Sequence, residues 1–141
     1  MSSAGDALAN EAGRLIGTPF RLHGRNPKTG VDCVGLVSAA FSRIDRRFDP
    51  PSQYALRNRT IAPLLDRLDT APARRLPSGD PARQTGDICL CTLGSGQHHV
   101  VILAGPAAGR AVSFIHAHAG LRRVVQTPGP PPWPVLASWR P

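Results

Sequence analysis

The chain has 141 residues, a hydrophobic content of 41% and a formal net charge of +8. This length suits one compact domain with a single core, so we predict one domain over residues 1–141. No apolar run approaches the roughly 18 residues that a membrane-spanning helix needs. The basic charge favours anionic partners, but the arginines are scattered and only 5% of the residues are aromatic. A specific nucleic-acid site is therefore not predicted.

The first ten residues contain no basic residue and no continuous apolar stretch, unlike a signal peptide. We therefore expect cytoplasmic synthesis, with delivery to any substrate outside the cell by a route that this sequence does not encode. The three cysteines are an odd number, which argues against a disulfide framework and for at least one free thiol.

The first half of the chain predicts three helices. Leu8, Ala12, Leu15 and Ile16 share one face of a predicted helix over Ala7–Ile16, and Gly17 ends that helix. Asp32, a residue type that caps helices, stands directly before an apolar repeat over Cys33–Ile44. A third helix is predicted over Ile61–Leu68. The stretch between the first two helices is rich in Gly and Pro and is predicted to be a loop.

The second half of the chain changes to the period of strands. Four strands are predicted in succession: Gly86–Leu93, His98–Ala104, Ala111–His118 and Leu121–Gln126. After a rigid segment over Pro128–Pro134, an edge strand is predicted at Val135–Trp139. Helices followed by a meander of strands indicate an α+β fold, with N-terminal helices packed on an antiparallel sheet.

Cys33 is placed by this pattern at the N-terminus of an amphipathic helix. Unpaired backbone N–H groups and the helix dipole stabilise an anion there. The pKa of a thiol at such a position is expected to be lowered, and the thiolate is the nucleophilic form.

Four histidines fall near the ends of two neighbouring predicted strands. His98 and His99 open one strand, and His116 and His118 end the next. Cysteine-dependent acyl transfer needs an imidazole beside the thiol and a third polar group that orients the imidazole. A helix that presents Cys33 to a sheet bearing these histidines meets that requirement.

Several motifs together resemble the NlpC-type peptidoglycan endopeptidases, a compact branch of the papain-like cysteine peptidases. The family's nucleophile motif, Asp-Cys-Ser-Gly-Leu/Phe-Val, has its counterpart in Asp32–Val37. The other matching segments occur in the family's order: Gly17–Gly24, Gly86–Leu90, His99–Ile102 and Phe114–Ala117. The resemblance extends over about residues 8 to 126.

The resemblance implies a papain-like fold in which Cys33 is the nucleophile, His99 the general base and His116 the residue that orients His99. It also implies that the substrate is the stem peptide of bacterial peptidoglycan and that no cofactor or metal takes part. His98 competes with His99 for the role of base. His99 is preferred because Val100 follows it, as in the family, and because neighbouring strand residues face opposite sides.

The sequence departs from the family pattern at Phe20, where the family often has Tyr. The resemblance implies that this hydroxyl helps stabilise the oxyanion, and that His23 or a backbone N–H takes its place here. The Phe-Ile-His-Ala version of the last motif and the lack of a signal resemble the peptidases of phage tails and gene transfer agents. Proteins of such particles are therefore possible partners.

Two other interpretations compete with a hydrolase. The domain could be a structural or wall-binding module whose catalytic residues have decayed, which Phe20 favours. Cys89 and Cys91, followed by His98 and His99, could also hold zinc. A metal site is not predicted, because the two cysteines share one face of a strand and lack the usual two-residue gap.

Overall fold

The computed structural model describes residues 3–48, 62–77, 82–94, 96–105 and 112–141. Within them the helices are α1 (Ala4–Arg14), α2 (Cys33–Ser42) and α3 (Ala62–Leu68). The strands are β1 (Arg25–Asn26), β2 (Gly30–Val31), β3 (Arg74–Arg75), β4 (Ile88–Gly94), β5 (Gln97–Ala104), β6 (Ser113–His118), β7 (Arg123–Pro128) and β8 (Val135–Arg140). None of the helices in the described residues is long and apolar enough to cross a membrane.

The strands form a two-stranded sheet, β1-β2, and a six-stranded sheet in the order β3-β8-β4-β5-β6-β7. Every registered pair of the larger sheet is antiparallel. The predicted α+β fold and the meander from β4 to β7 are thus confirmed. The predicted helix start at Ile61 and strand start at Ala111 lie outside the described residues.

The prediction of an edge strand near the C-terminus is wrong. Strand β8 lies inside the sheet, between β3 and β4. Trp139 of β8 is 1% exposed, belongs to the main core, and donates a hydrogen bond from Nε1 to Asp69 Oδ1 at 2.8 Å. A short strand after a proline-rich segment is typical of an edge, and burial of this indole instead stabilises an interior position.

The main core lies between α1, α2 and one face of the large sheet. Alternate residues of β5 show the two faces: Val100 and Ile102 belong to the main core, whereas Val101 and Leu103 belong to a smaller cluster on the opposite face. This alternation follows from the two-residue period of a strand. We call these faces the helix face and the outer face.

The start of α2 is fixed by Asp32, as the sequence predicts. One oxygen of its carboxylate accepts a hydrogen bond from the Gly35 N–H at 2.8 Å, and the other accepts from the His23 N–H at 2.9 Å. A side chain at Gly35 would collide with the backbone carbonyl of Gly24. The predicted loop before α2 therefore packs closely on the helix, and it contains the β1-β2 hairpin, which the sequence analysis did not predict.

A buried ion pair joins the start of β4 to the end of β8. The Asp87 carboxylate, 0% exposed, accepts two hydrogen bonds from Arg140, each at 2.9 Å, and one from the Gln84 N–H at 2.9 Å. Removing one partner of a buried ion pair leaves the other charge uncompensated.

We therefore expect Asp87→Ala to lower the free energy of unfolding by about 3 kcal/mol. Glu11→Ala is the matched control, because Glu11 pairs with Arg43 at the surface, and a surface pair contributes less than about 1 kcal/mol. Urea unfolding followed by circular dichroism measures both changes. Equal losses in the two variants would show that the Asp87–Arg140 pair does not hold β8 in the sheet.

Candidate active site

A cleft of about 190 Å³ opens where β5 begins and β6 ends. Cys33, His99 and His116, the three residues predicted to carry the chemistry, all line this cleft, and so does His98. The other lining residues come from four places in the chain. These are the loop before β1 (Phe20), the adjoining ends of β4 and β5 (Leu93 and Gln97), the end of β6 with the turn after it (Ala117, His118, Ala119 and Gly120), and the segment before β8 (Trp133).

The Cys33 side chain lies against strand β5. Cys33 is the first residue of α2 and is 1% exposed. Strand β5 pairs with β6 only over Ile102–Ala104. Val100 lies outside this paired stretch, and its N–H donates a hydrogen bond to the Cys33 sulfur. Because Val100 directly follows His99, the thiol meets the strand one residue from the predicted base.

His99 and His116 are joined by a hydrogen bond. Nε2 of His99 lies 2.8 Å from Nδ1 of His116, which leaves Nδ1 of His99 as the ring nitrogen available to a thiol. His99 is on the outer face of β5 with Val101, whereas alternation places His98 on the helix face. The structure therefore brings His99, and not its neighbour, into contact with His116.

Trp133 covers this histidine pair from the outer face. Its ring centroid lies 5.6 Å from that of His99 and 6.1 Å from that of His116, both in edge-on arrangements. Phe114 packs against His116 at a centroid distance of 4.7 Å. Apolar rings that surround the pair limit the access of water to its hydrogen bond. No sequence pattern distinguished Trp133 from the rest of its proline-rich segment.

The Cys33 thiol and the His99–His116 pair are held in their neutral forms. Burial, together with the negative charge of Asp32, raises the pKa of Cys33 to about 12. Nearby backbone N–H groups lower the pKa of the thiol, but their effect is smaller; they belong to Val100, Val34 and Cys33 itself. Burial and the neighbouring histidines lower the pKa of His99 to about 3. The expected lowering of the Cys33 pKa is thus wrong in direction, because the cost of desolvation exceeds the effect of the helix N-terminus.

Burial also lowers the pKa of His116, to about 4, with a further contribution from His118. His118 has a separate structural role, because its Nδ1 accepts a hydrogen bond from the Leu121 N–H at 3.0 Å. This bond holds the turn after β6, which borders the cleft. On the other side of the histidine pair, Nε2 of His116 lies 3.0 Å from Oγ1 of Thr127. The sequence analysis did not single out Thr127.

The two proposed substitutes for the family's tyrosine hydroxyl differ in position. Phe20 lines the cleft. His23 is exposed, and it is not among the residues that line the cleft. The backbone N–H groups of Cys33 and Val34 are near enough to the sulfur to lower its pKa, and they are among the helix N–H groups that lack an intrahelical acceptor. They are the better placed donors for an oxyanion that forms beside that sulfur.

Cys89 and Cys91 lie away from the helix-face core that contains Cys33. Both are buried in the small cluster on the outer face, as expected of two residues on one side of a strand. Burial raises the pKa of Cys89 to about 11 and that of Cys91 to about 12. Among the described residues, no three His, Cys, Asp or Glu side chains are grouped as metal ligands.

The contribution of Asp32 to the Cys33 pKa can be measured with Asp32→Asn. The substitution removes the negative charge and keeps an oxygen for the Gly35 N–H, but the new NH2 group cannot accept from the His23 N–H, so folding is verified by circular dichroism. We expect the Cys33 pKa of the folded variant to fall. The measurement is the pH dependence of alkylation at the Cys33 peptide, followed by mass spectrometry. Glu11→Gln, which removes a surface charge, should leave this dependence as in the wild type. An unchanged or higher pKa in Asp32→Asn would contradict the assignment.

Comparisons with known proteins agree with this geometry. Three solved structures share the fold. NlpC2 from Trichomonas vaginalis superposes with a TM-score of 0.69 at 22% identity, covering 99% of this chain and 48% of that one. The NlpC/p60 domain of the peptidoglycan hydrolase SagA gives a TM-score of 0.58 at 21% identity, covering 89% of this chain and 90% of that one. The P60 domain of an antigen from M. avium subspecies paratuberculosis gives a TM-score of 0.58 at 18% identity, covering 97% of this chain and 93% of that one.

This chain thus spans about half the length of the Trichomonas protein. A search of curated proteins gives no match. The sequence model of the NlpC/P60 family matches residues 17–129, a span that includes α2, both histidine strands and most of the cleft. The chain belongs to the NlpC/P60 family.

Proposed function

We propose that this protein is a cysteine peptidase that cleaves amide bonds in the stem peptides of bacterial peptidoglycan. In this proposal Cys33 is the nucleophile, His99 the general base and His116 the residue that orients His99. The single observation that carries the proposal is the shared cleft, in which the Cys33 sulfur bonds the amide next to His99 while His99 bonds His116. SagA, a structural neighbour, is described as a peptidoglycan hydrolase, which supports the choice of substrate.

In this proposal the reaction begins from a neutral Cys33 thiol and a neutral His99 imidazole, which line the same cleft. As the Cys33 sulfur attacks the carbonyl carbon of the substrate, its proton passes to Nδ1 of His99. The N–H groups of Cys33 and Val34 donate hydrogen bonds to the developing oxyanion. Proton transfer during the attack avoids a preformed ion pair, which burial of both groups disfavours.

The tetrahedral intermediate then collapses. The C–N bond breaks, His99 gives its proton to the leaving amine, and a thioester remains on Cys33. Water next attacks the thioester carbonyl while His99 accepts a proton from the water. The acid product leaves, and the proton on His99 returns to the sulfur, which restores the neutral pair.

Two finer points remain part of the proposal. The family favours the bond between D-glutamate and the diamino acid, and we propose this bond as the first to test among those of the stem. We also retain delivery within a phage-tail or gene-transfer-agent particle as the proposed route to the wall. Its support is the Phe-Ile-His-Ala motif at Phe114–Ala117.

Digestion of purified peptidoglycan tests the nucleophile. Cys33→Ala should abolish the release of stem-peptide fragments, because no other group in the proposed mechanism forms the acyl-enzyme. Cys89→Ala is the matched control, since it also removes a buried thiol, but one whose cross-strand partners are Val101 and Ser138 and not His99, and it should digest at close to the wild-type rate. Mass spectrometry of the fragments identifies the cleaved bond. Equal digestion by wild type and Cys33→Ala would reject the mechanism.

Substitution of the two adjacent histidines tests the base. We expect His99→Gln to lower kcat by about 10²–10⁴-fold, the usual contribution of a general acid–base residue, and His98→Gln to lower it far less. The reverse order would assign the base to His98. If the wild type binds peptidoglycan but releases no fragments, the alternative of a wall-binding module is the correct one.

The pH dependence of kcat/KM reports the pKa values of the free enzyme. Lowering the pKa of His99 to about 3 and of His116 to about 4 keeps the base neutral in mild acid. We therefore expect activity at about pH 5 to remain within about twofold of that at neutral pH. An acid limb centred near 6.5, the ordinary value for histidine, would contradict this.

Acid also affects stability, so folding must be verified at each pH. The unfolded state binds protons at these histidines more readily than the folded state does. Stability is therefore complete above about pH 6.5 and is lost as the pH falls toward the lowered values. Circular dichroism at the assay temperature separates loss of structure from titration of the base.

A further inference from the structure

The hydrogen bonds of the histidine pair extend to a third residue that the proposed mechanism does not use. Thr127 lies on β7, and Phe114 is its partner in the register with β6. The Thr127 hydroxyl therefore reaches His116 diagonally across the two strands, at 3.0 Å from Nε2. The hydrogen-bonded series runs from His99 through His116 to Thr127.

The protonation states along this series are linked. A neutral imidazole carries one N–H donor and one acceptor. If Nε2 of His99 donates to Nδ1 of His116, then Nδ1 of His99 is free to accept a proton, and His116 must carry its own proton on Nε2. If the central bond runs the other way, His99 carries its proton on Nδ1 and cannot act as a base there.

The first of these arrangements is obligatory once His99 is protonated. The imidazolium donates from both nitrogens, so Nδ1 of His116 must accept and Nε2 of His116 must donate. The only acceptor that the described residues offer to this Nε2 is Oγ1 of Thr127. A buried donor without an acceptor carries a penalty in free energy, and Trp133 and Phe114 cover the ring.

We propose that Thr127 is a positioning residue that accepts the hydrogen bond of His116 and so keeps His99 able to receive the thiol proton. This inference rests on the proposed function for its catalytic consequence, but the tautomer of His116 is a property of the resting protein. Thr127→Val removes the hydroxyl at nearly constant shape, and Thr127→Ser retains it.

Nitrogen NMR of the histidine rings tests the tautomer directly. In the wild type and in Thr127→Ser at neutral pH, we expect His116 to carry its proton on Nε2. In Thr127→Val we expect the population with the proton on Nδ1 to rise. The wild type alone can overturn the inference: a proton on Nδ1 of His116 in the wild-type protein would reject it, whether or not the valine variant folds.

Kinetics provide the second measurement. Loss of one hydrogen bond that strengthens as the imidazolium forms should lower kcat about tenfold with KM unchanged, and Thr127→Ser should restore it. Wild-type kcat in a folded Thr127→Val variant would overturn the inference and leave the proposed function intact. Full activity of Cys33→Ala would instead reject the proposed function, while the NMR result for His116 would stand by itself.

Discussion

The carboxylate of Asp32 is the constraint on which the arrangement of the site depends. By accepting one hydrogen bond from inside α2 and one from the preceding loop, it fixes the helix start and that loop relative to each other. The helix can then approach the loop closely enough that only glycine fits at position 35. Cys33 follows directly, so its sulfur has little freedom to lie anywhere but against β5.

The same constraint has an electrostatic cost. A carboxylate next to the buried thiol opposes ionisation of that thiol to the thiolate. Burial also disfavours the charged forms of His99 and His116, and because these are cations their pKa values are lowered. The Cys33 thiol and the His99–His116 pair are therefore neutral at rest, and in the proposed mechanism the thiol proton passes to His99 when a carbonyl arrives. Such a site reacts slowly with adventitious electrophiles, because little thiolate is present in the absence of substrate.

The sequence was most informative where structure is determined by adjacent residues. The cap at Asp32 and the helix beginning at Cys33 follow from local chemistry and periodicity. The two-residue period of a strand predicted that His99 and His98 face opposite sides of β5, and of the two His99 is the one that contacts His116. Properties that arise from distant packing were not readable: the depth of burial that raises the thiol pKa, the cover that Trp133 provides, and the diagonal contact of Thr127.

The interior position of β8 has a consequence for biosynthesis. The family match ends at residue 129, yet the strand that covers the open side of β4 begins at Val135. Until that strand leaves the ribosome, β4 presents unpaired backbone groups along a row of buried apolar residues, a template for pairing with another chain. A fragment cut at the family boundary would therefore be prone to aggregation, although it contains every residue of the proposed triad.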